Sequence, residues 1–212
     1  MGYRLLKSLT LNSNPIKVKG DTDCMNDSQQ TMIQGLQRQE RNAQEQALME
    51  YGSKVFATIS RVVSRQEDAE EVYQDVFVKA FRHIGTFDAT KASFQSWLCK
   101  IAYNESLNFI RDHKQPVVYI DDSNLLMKDV QEQDLDHLFQ QQDEQTIQAV
   151  EQALAQLNAK EQSLVYMYYF DDLSLKEIAY IMDMQPSTVG SSLHRIRQKL
   201  YRIIMEQRSS TL

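Results

Sequence analysis

Apolar positions recur along this chain at intervals of three and four, the period of a helix packed on one side. From Ile33 to Val63 they fall at Leu36, Leu48, Val55, Phe56, Ile59 and Val63, a rhythm that is loose at first and regular after Tyr51. The next stretch is stronger. Ala69, Val72, Tyr73, Val76, Phe77, Ala80, Phe81 and Ile84 keep the spacing. Glu67, Asp68, Glu70 and Glu71 crowd its first turns, where the positive end of the helix dipole favours acids. That helix is expected to end near Gly85, and "TFDATKAS" forms a short connection. A third helix then carries Phe94, Trp97, Leu98, Ile101 and Ala102 inward until Pro116 interrupts it. Trp97 is expected in the core, because so large a ring contributes most when buried. Three amphipathic helices make one small bundle over residues 33–115.

Outside this bundle the period lapses twice. Residues 1–32 are rich in Asn, Asp and Ser and predict a disordered tail. Residues 116–144 are dominated by Gln and acids, the composition of a linker between domains. The pattern restarts at Ile147, Val150, Leu154 and Leu157. Asn158 with Glu161, and Ser174 with Glu177, each carry the spacing of a capping box, so helices are expected to start near 159 and 175. Leu164, Val165, Tyr168 and Tyr169 fill the first of these, Ile178, Ala179 and Met182 the second, and Pro186 suits the first turn of a final helix. A short helix over 175–182, a tight turn at 183–185 and a longer helix from 186 make a helix-turn-helix, whose second member is the one that enters a major groove. The fold expected is all-α: two small helical domains, 33–115 and 145–207, joined by a linker. Only six Gly and three Pro in 212 residues agree with it.

A net charge of −6 argues against a nucleic-acid partner until the charges are placed. Between Asp121 and Glu151 acids face the single base Lys128, whereas Met184–Met205 holds Arg195, Arg197, Lys199 and Arg202 and no acid. A DNA-contacting face beside an acidic linker produces this asymmetry. Val189, Leu193, Ile196 and Leu200 take the inward stripe of the final helix. That leaves Thr188, Ser191, His194 and Arg195 near its N-terminal outward face, with Arg197, Lys199 and Arg202 placed for backbone phosphates. Other chemistry is thin. Cys24 and Cys99 show neither disulfide nor metal spacing, the four histidines are scattered, and no Gly-rich phosphate loop follows a strand. No cofactor, metal or enzymatic reaction is implied. No stretch reaches the roughly 18 apolar residues of a membrane span, so no membrane insertion is expected. The opening segment, broken at Lys7 and Ser8, makes a poor secretory signal, and a cytoplasmic protein is expected.

Two stretches carry a family resemblance. "DAEEVYQDVFVKAF", followed by "FDATKASFQSWLCKIAYNESLNFIR", resembles sigma domain two, and "LNAKEQSLVYMYYFDDLSLKEIAYIMDMQPSTVGSSLHRIRQKL" resembles sigma domain four. In this order, with a linker of this length, the chain resembles a bacterial RNA polymerase sigma factor of the extracytoplasmic-function (ECF) class of the sigma-70 family. The resemblance implies a subunit that directs the polymerase core to specific promoters and promotes strand opening. It implies that Glu71, Gln74 and Asp75 meet the clamp coiled-coil of the core. The connection 87–94 would capture a base flipped from the minus-ten element, with Phe87, Lys91, Ser93 and Asn104 facing the single strand. Extracting a base costs a few kcal/mol, which stacking and edge hydrogen bonds must offset. By sign, Lys100, Arg111 and Lys114 suit phosphates. The minus-35 element would be read by Thr188, Ser191, His194 and Arg195, with Arg197 and Lys199 beside them; Arg195 is suited to bidentate contact with guanine. Gly190 and Ser192 depart from the family pattern, which often has Lys or Arg there. This weakens the expected minus-35 contact, and Gly190 costs the helix about 1 kcal/mol relative to Ala. An anti-sigma factor is an implied further partner. From the residues alone a stand-alone helix-turn-helix regulator, binding its operator without polymerase, remains the alternative.

Overall fold

The computed structural model describes residues 27–113 and 144–209. The expected tail as far as residue 26 and the expected linker over 116–143 lie outside the described residues. The described residues form α-helices joined by turns, with one 3₁₀ turn and no strand among them. They group into two compact units, in agreement with the all-α expectation.

The first unit opens with α1 (Asp27–Gln37), which starts inside the stretch expected to be tail. Met32 is 1 % exposed, and Ile33 and Leu36 are also buried. Three apolar residues in five positions are too few to display a period, yet they suffice to dock one short helix. The rhythm over 33–63 therefore belongs to two helices, α1 and α2 (Arg41–Ser60), and the break between them is a Schellman motif. Gln39 takes φ 59°, its N–H donates to Leu36 O at 3.0 Å, and the Glu40 N–H donates to Gly35 O at 2.9 Å. Glycine usually holds that left-handed position, so a glutamine there gave no warning. Gly35 has another purpose: a Cβ on it would stand 2.7 Å from that of Ala43, and its absence lets the two helices close.

Next come α3 (Gln66–Arg82), the 3₁₀ turn Ile84–Thr86 and α4 (Phe94–Asp112). Helices α2, α3 and α4 pack on one another around Val55, Ile59, Val76, Leu98 and Ala102, each fully enclosed. Helix α1 lies on α2 and on the 3₁₀ turn. Glu67 and Asp68 in the first turn of α3, and Lys79 and Arg82 in its last, match the macrodipole at both ends. Trp97 is buried as expected and stacks on Phe94 at 5.6 Å between centroids.

The remaining helices are α5 (Glu144–Ala155), α6 (Ala159–Tyr169), α7 (Leu175–Met182) and α8 (Pro186–Ser209), of which α5, α6, α8 and the start of α7 make up the second unit. Both expected capping boxes form. Asn158 and Glu161 exchange two hydrogen bonds of 2.9 Å. The Ser174 N–H donates to Glu177 Oε2 at 2.9 Å, and the Glu177 N–H returns to Ser174 Oγ at 3.3 Å. Each cap contributes about 1 kcal/mol. After α7 the chain turns through Asp183 at φ 56°, closed by the Met184 N–H on Ala179 O at 2.9 Å, and Pro186 starts α8. Helix α8 lays Val189, Leu193, Ile196 and Leu200 inward, continued by Ile203 and Ile204, and packs on α5 and α6. Leu164 and Val165 are buried, but Tyr168 and Tyr169 are only half-buried, with their rings edge-to-face at 4.9 Å.

Candidate nucleic-acid interface

The inward stripe of α8 decides what its opposite side presents. Thr188, Ser191, His194 and Arg195 are all exposed, at positions that a 3.6-residue turn brings to one side. Ser191 Oγ donates to the Thr188 carbonyl at 3.1 Å, which leaves its lone pairs as acceptors. The Gln198 amide lies 3.0 Å from His194 Nε2, so the imidazole already has one partner. Arg195 makes a long contact of 3.4 Å to Ser192 Oγ, too loose to restrain a guanidinium that has five donors to offer. A hydroxyl, a hydroxymethyl, an imidazole and a guanidinium at the start of a groove-sized helix are suited to base edges.

Of the two cations expected beside them, one is placed differently. Lys199 does not face outward: its side chain is 10 % exposed, and Nζ lies 3.2 and 3.3 Å from the two carboxylate oxygens of Glu161. It sits on the flank of the buried stripe, where a long aliphatic stem can run along apolar surface while the ammonium finds an acid. Glu161 thus serves twice, as the capping box of α6 and as the partner of α8. Arg197 is half-buried, as is Arg202. At Gly190 an added Cβ would meet only Leu175 Cδ1 at 3.9 Å, an ordinary contact, so packing does not demand the glycine.

In the first unit the connection between the 3₁₀ turn and α4 is closed at its base by aromatic rings. Phe87 lies 5.3 Å from Phe94 and 5.7 Å from Trp97, and Phe94 meets Tyr51 at 5.2 Å. Phe87 is therefore half-buried and shared between the loop and the bundle. Burial, aided by Glu50, pushes the Tyr51 phenol up to about 12, and Gln29 of α1 donates to it at 2.9 Å. Lys91 is exposed and rests 3.2 Å from Asp88. Ser93 is exposed and caps α4, accepting the Ser96 N–H at 3.1 Å and donating to Ser96 Oγ at 2.9 Å. Asn104 is exposed three turns along the same helix, about 16 Å from Ser93 by helical rise. Asp88 and Thr90, which shape this loop, were not among the expected site residues. Their signal was the Asp-x-Thr spacing of a side-chain-closed turn.

Glu71, Gln74 and Asp75 are exposed on α3, opposite the buried Ala69, Val72, Val76 and Phe77. Val78, seven residues beyond Glu71 and hence on the same face, is 47 % exposed and adds an apolar element that polarity-based reasoning passed over. Among the described residues no group of His, Cys, Asp and Glu could hold a metal ion, and no helix is long and apolar enough to cross a membrane.

Comparison with known proteins bears on both units. The Sigma-70 region 2 family model matches residues 48–115, and the Sigma-70, region 4 model matches residues 147–200. The RNA polymerase sigma-H factor of Pseudomonas aeruginosa is 26% identical over 81% of this chain and 91% of its own length. The ECF RNA polymerase sigma factor SigW of Bacillus subtilis is 29% identical, covering 71% and 82%. The ECF RNA polymerase sigma-E factor of Escherichia coli is 27% identical, covering 81% and 91%. Among solved structures, the sigma factor RpoE in complex with the anti-sigma factor NepR from Bartonella quintana superposes with TM-score 0.54, at 20% identity over 76% of this chain and 96% of that one. CnrH in complex with the cytosolic domain of CnrY gives TM-score 0.58, at 17% identity over 85% and 99%. At these identities the structures establish the fold alone.

Proposed function

Since the chain belongs to the sigma-70 family of RNA polymerase sigma factors, in its ECF class, we propose that it serves as a non-enzymatic initiation factor that brings the polymerase core to promoters and traps the opened strand. The observation that carries this reading is the order of the two matched regions, each supplying an exposed polar face on a separate helical unit. The face of α3 bearing Glu71, Gln74, Asp75 and Val78 meets the core. Its acids supply charge complementarity and Val78 the desolvated centre that such contacts need. The loop 87–93 and Asn104 receive the displaced strand of the minus-ten element. Thr188, Ser191, His194 and Arg195 read the minus-35 duplex, and Arg197 and Arg202 approach its phosphates; Lys199 supports the unit from within. An anti-sigma protein is a further partner, of the kind that the RpoE–NepR complex contains. A chain acting on the bacterial polymerase works in the cytoplasm.

Reconstitution tests this directly. Purified core plus the full chain is expected to yield discrete run-off transcripts from a promoter library, and the chain alone is expected to leave no footprint. A tight footprint without polymerase, with no transcripts in its presence, establishes a stand-alone regulator instead.

A further inference from the structure

A loop built to receive nucleic acid gains nothing by carrying an exposed carboxylate, since like charge repels the phosphates. Asp88 is nevertheless at its start, and the geometry gives it an internal task. Its Oδ1 accepts both the Thr90 N–H at 3.0 Å and the Thr90 hydroxyl at 2.7 Å. Its Oδ2 lies 3.2 Å from Lys91 Nζ, and its backbone carbonyl accepts the Lys91 N–H at 3.0 Å and the Ala92 N–H at 3.4 Å. The Thr90 hydroxyl, the Thr90 N–H and Lys91 together hold this carboxyl below its ordinary range, so it is ionised throughout the physiological span. The Phe87 and Phe94 rings close the loop beneath it, and the Ser93 cap sets where α4 begins.

We propose that Asp88 is the positioning residue of this loop: its carboxylate makes no contact with the displaced strand but locks the turn that presents Thr90 and Lys91 to it. Lys91 arrives partly neutralised and with its stem already ordered, so that a phosphate gains a restrained cation rather than a free one. The inference rests on the reading of 87–93 as the strand-receiving loop, and it adds a residue chosen for shape rather than for contact.

The test uses the full chain assembled with polymerase core and, as probe, a single-stranded oligonucleotide carrying the non-template minus-ten sequence of a promoter found by run-off transcription. Asp88→Ala removes both side-chain hydrogen bonds of the turn and is expected to weaken oligonucleotide binding about tenfold. Its affinity for the core and the salt slope of oligonucleotide binding stay as in wild type, because no phosphate contact is removed. Asp88→Asn keeps the Oδ1 acceptor and loses only an exposed ion pair, so it is expected to bind within about threefold of wild type. Wild-type or tighter binding by Asp88→Ala overturns the proposal, because the carboxylate is then only a repelling charge. An equal loss in Asp88→Ala and Asp88→Asn overturns it as well, since the charge and not the turn then matters. Lys91→Ala and Asn104→Ala separate the two levels. If both weaken binding while Asp88→Ala does not, this inference alone fails; if neither does, the strand-receiving reading fails and takes the inference with it.

Discussion

Lys199 offers the sharpest trial of how this helix is divided between fold and DNA. In Lys199→Ala the Glu161 carboxylate, 21 % exposed, loses a cation at 3.2 Å while still holding the Asn158 N–H at 2.9 Å. Removing one partner of a fully buried pair costs about 3–5 kcal/mol, whereas exposed pairs contribute at most about 1 kcal/mol. With one side chain 10 % and the other 21 % exposed, the expected cost is intermediate, about 2 kcal/mol, part of it from lost packing of the aliphatic stem. Lys199→Met keeps the stem and isolates the charge. The assay has two readouts on the full chain. Hydrogen–deuterium exchange at the amides of α6 and α8 reports the stability of the second unit by itself, and binding of the holoenzyme to a minus-35 duplex as a function of salt reports phosphate contacts. Both variants are expected to exchange faster in α6 and α8 yet to keep the wild-type salt slope. Unchanged exchange, with a slope reduced by about 0.9, the signature of one lost phosphate contact, refutes the assignment of Lys199 to the interior.

Arg195→Ala is expected to lower initiation at minus-35-dependent promoters by an amount equivalent to about 1–3 kcal/mol, measured by run-off transcription, with little effect on urea stability. Gly190→Ala is expected to stabilise the second unit by up to about 1 kcal/mol in the same exchange experiment, because its new methyl meets only Leu175 Cδ1 at 3.9 Å. The raised phenol of Tyr51 predicts a pH effect. Its folded-state value of about 12 exceeds the ordinary 10.0, so its contribution is full below 10.0 and is lost as the pH rises through about 12. Discounted for partial solvent access, the loss is about 1–2 kcal/mol. Alkaline unfolding followed by exchange in α2 should shift upward in pH for Tyr51→Phe relative to its own neutral-pH stability.

Most of the architecture was legible because local signals and tertiary demand coincide. Two reciprocal caps announced α6 and α7, Pro186 announced α8, and the inward stripe of α8 singled out Thr188, Ser191, His194 and Arg195 by exclusion. The break between α1 and α2 was not legible, since it turns on a left-handed Gln39, a residue with no preference for that conformation. The turn after α7 was visible from the spacing of its neighbours even though Asp183, not glycine, holds its left-handed position. Lys199 misled because a base two positions from Arg197 reads as part of a basic face, and its partner Glu161 was already spoken for as a cap. The shape of the 87–93 loop depends on side-chain-to-backbone bonds that no periodicity encodes.

The contact between Phe87 and Phe94 gives the intervening segment the character of a cassette. Its two ends are pinned side by side by the bundle, so the entropy of bringing them together is met whatever residues lie between. Exchanging residues 88–92 while Ser93 keeps its place as the cap of α4 is therefore expected to reshape the loop and leave the packing of the bundle unchanged.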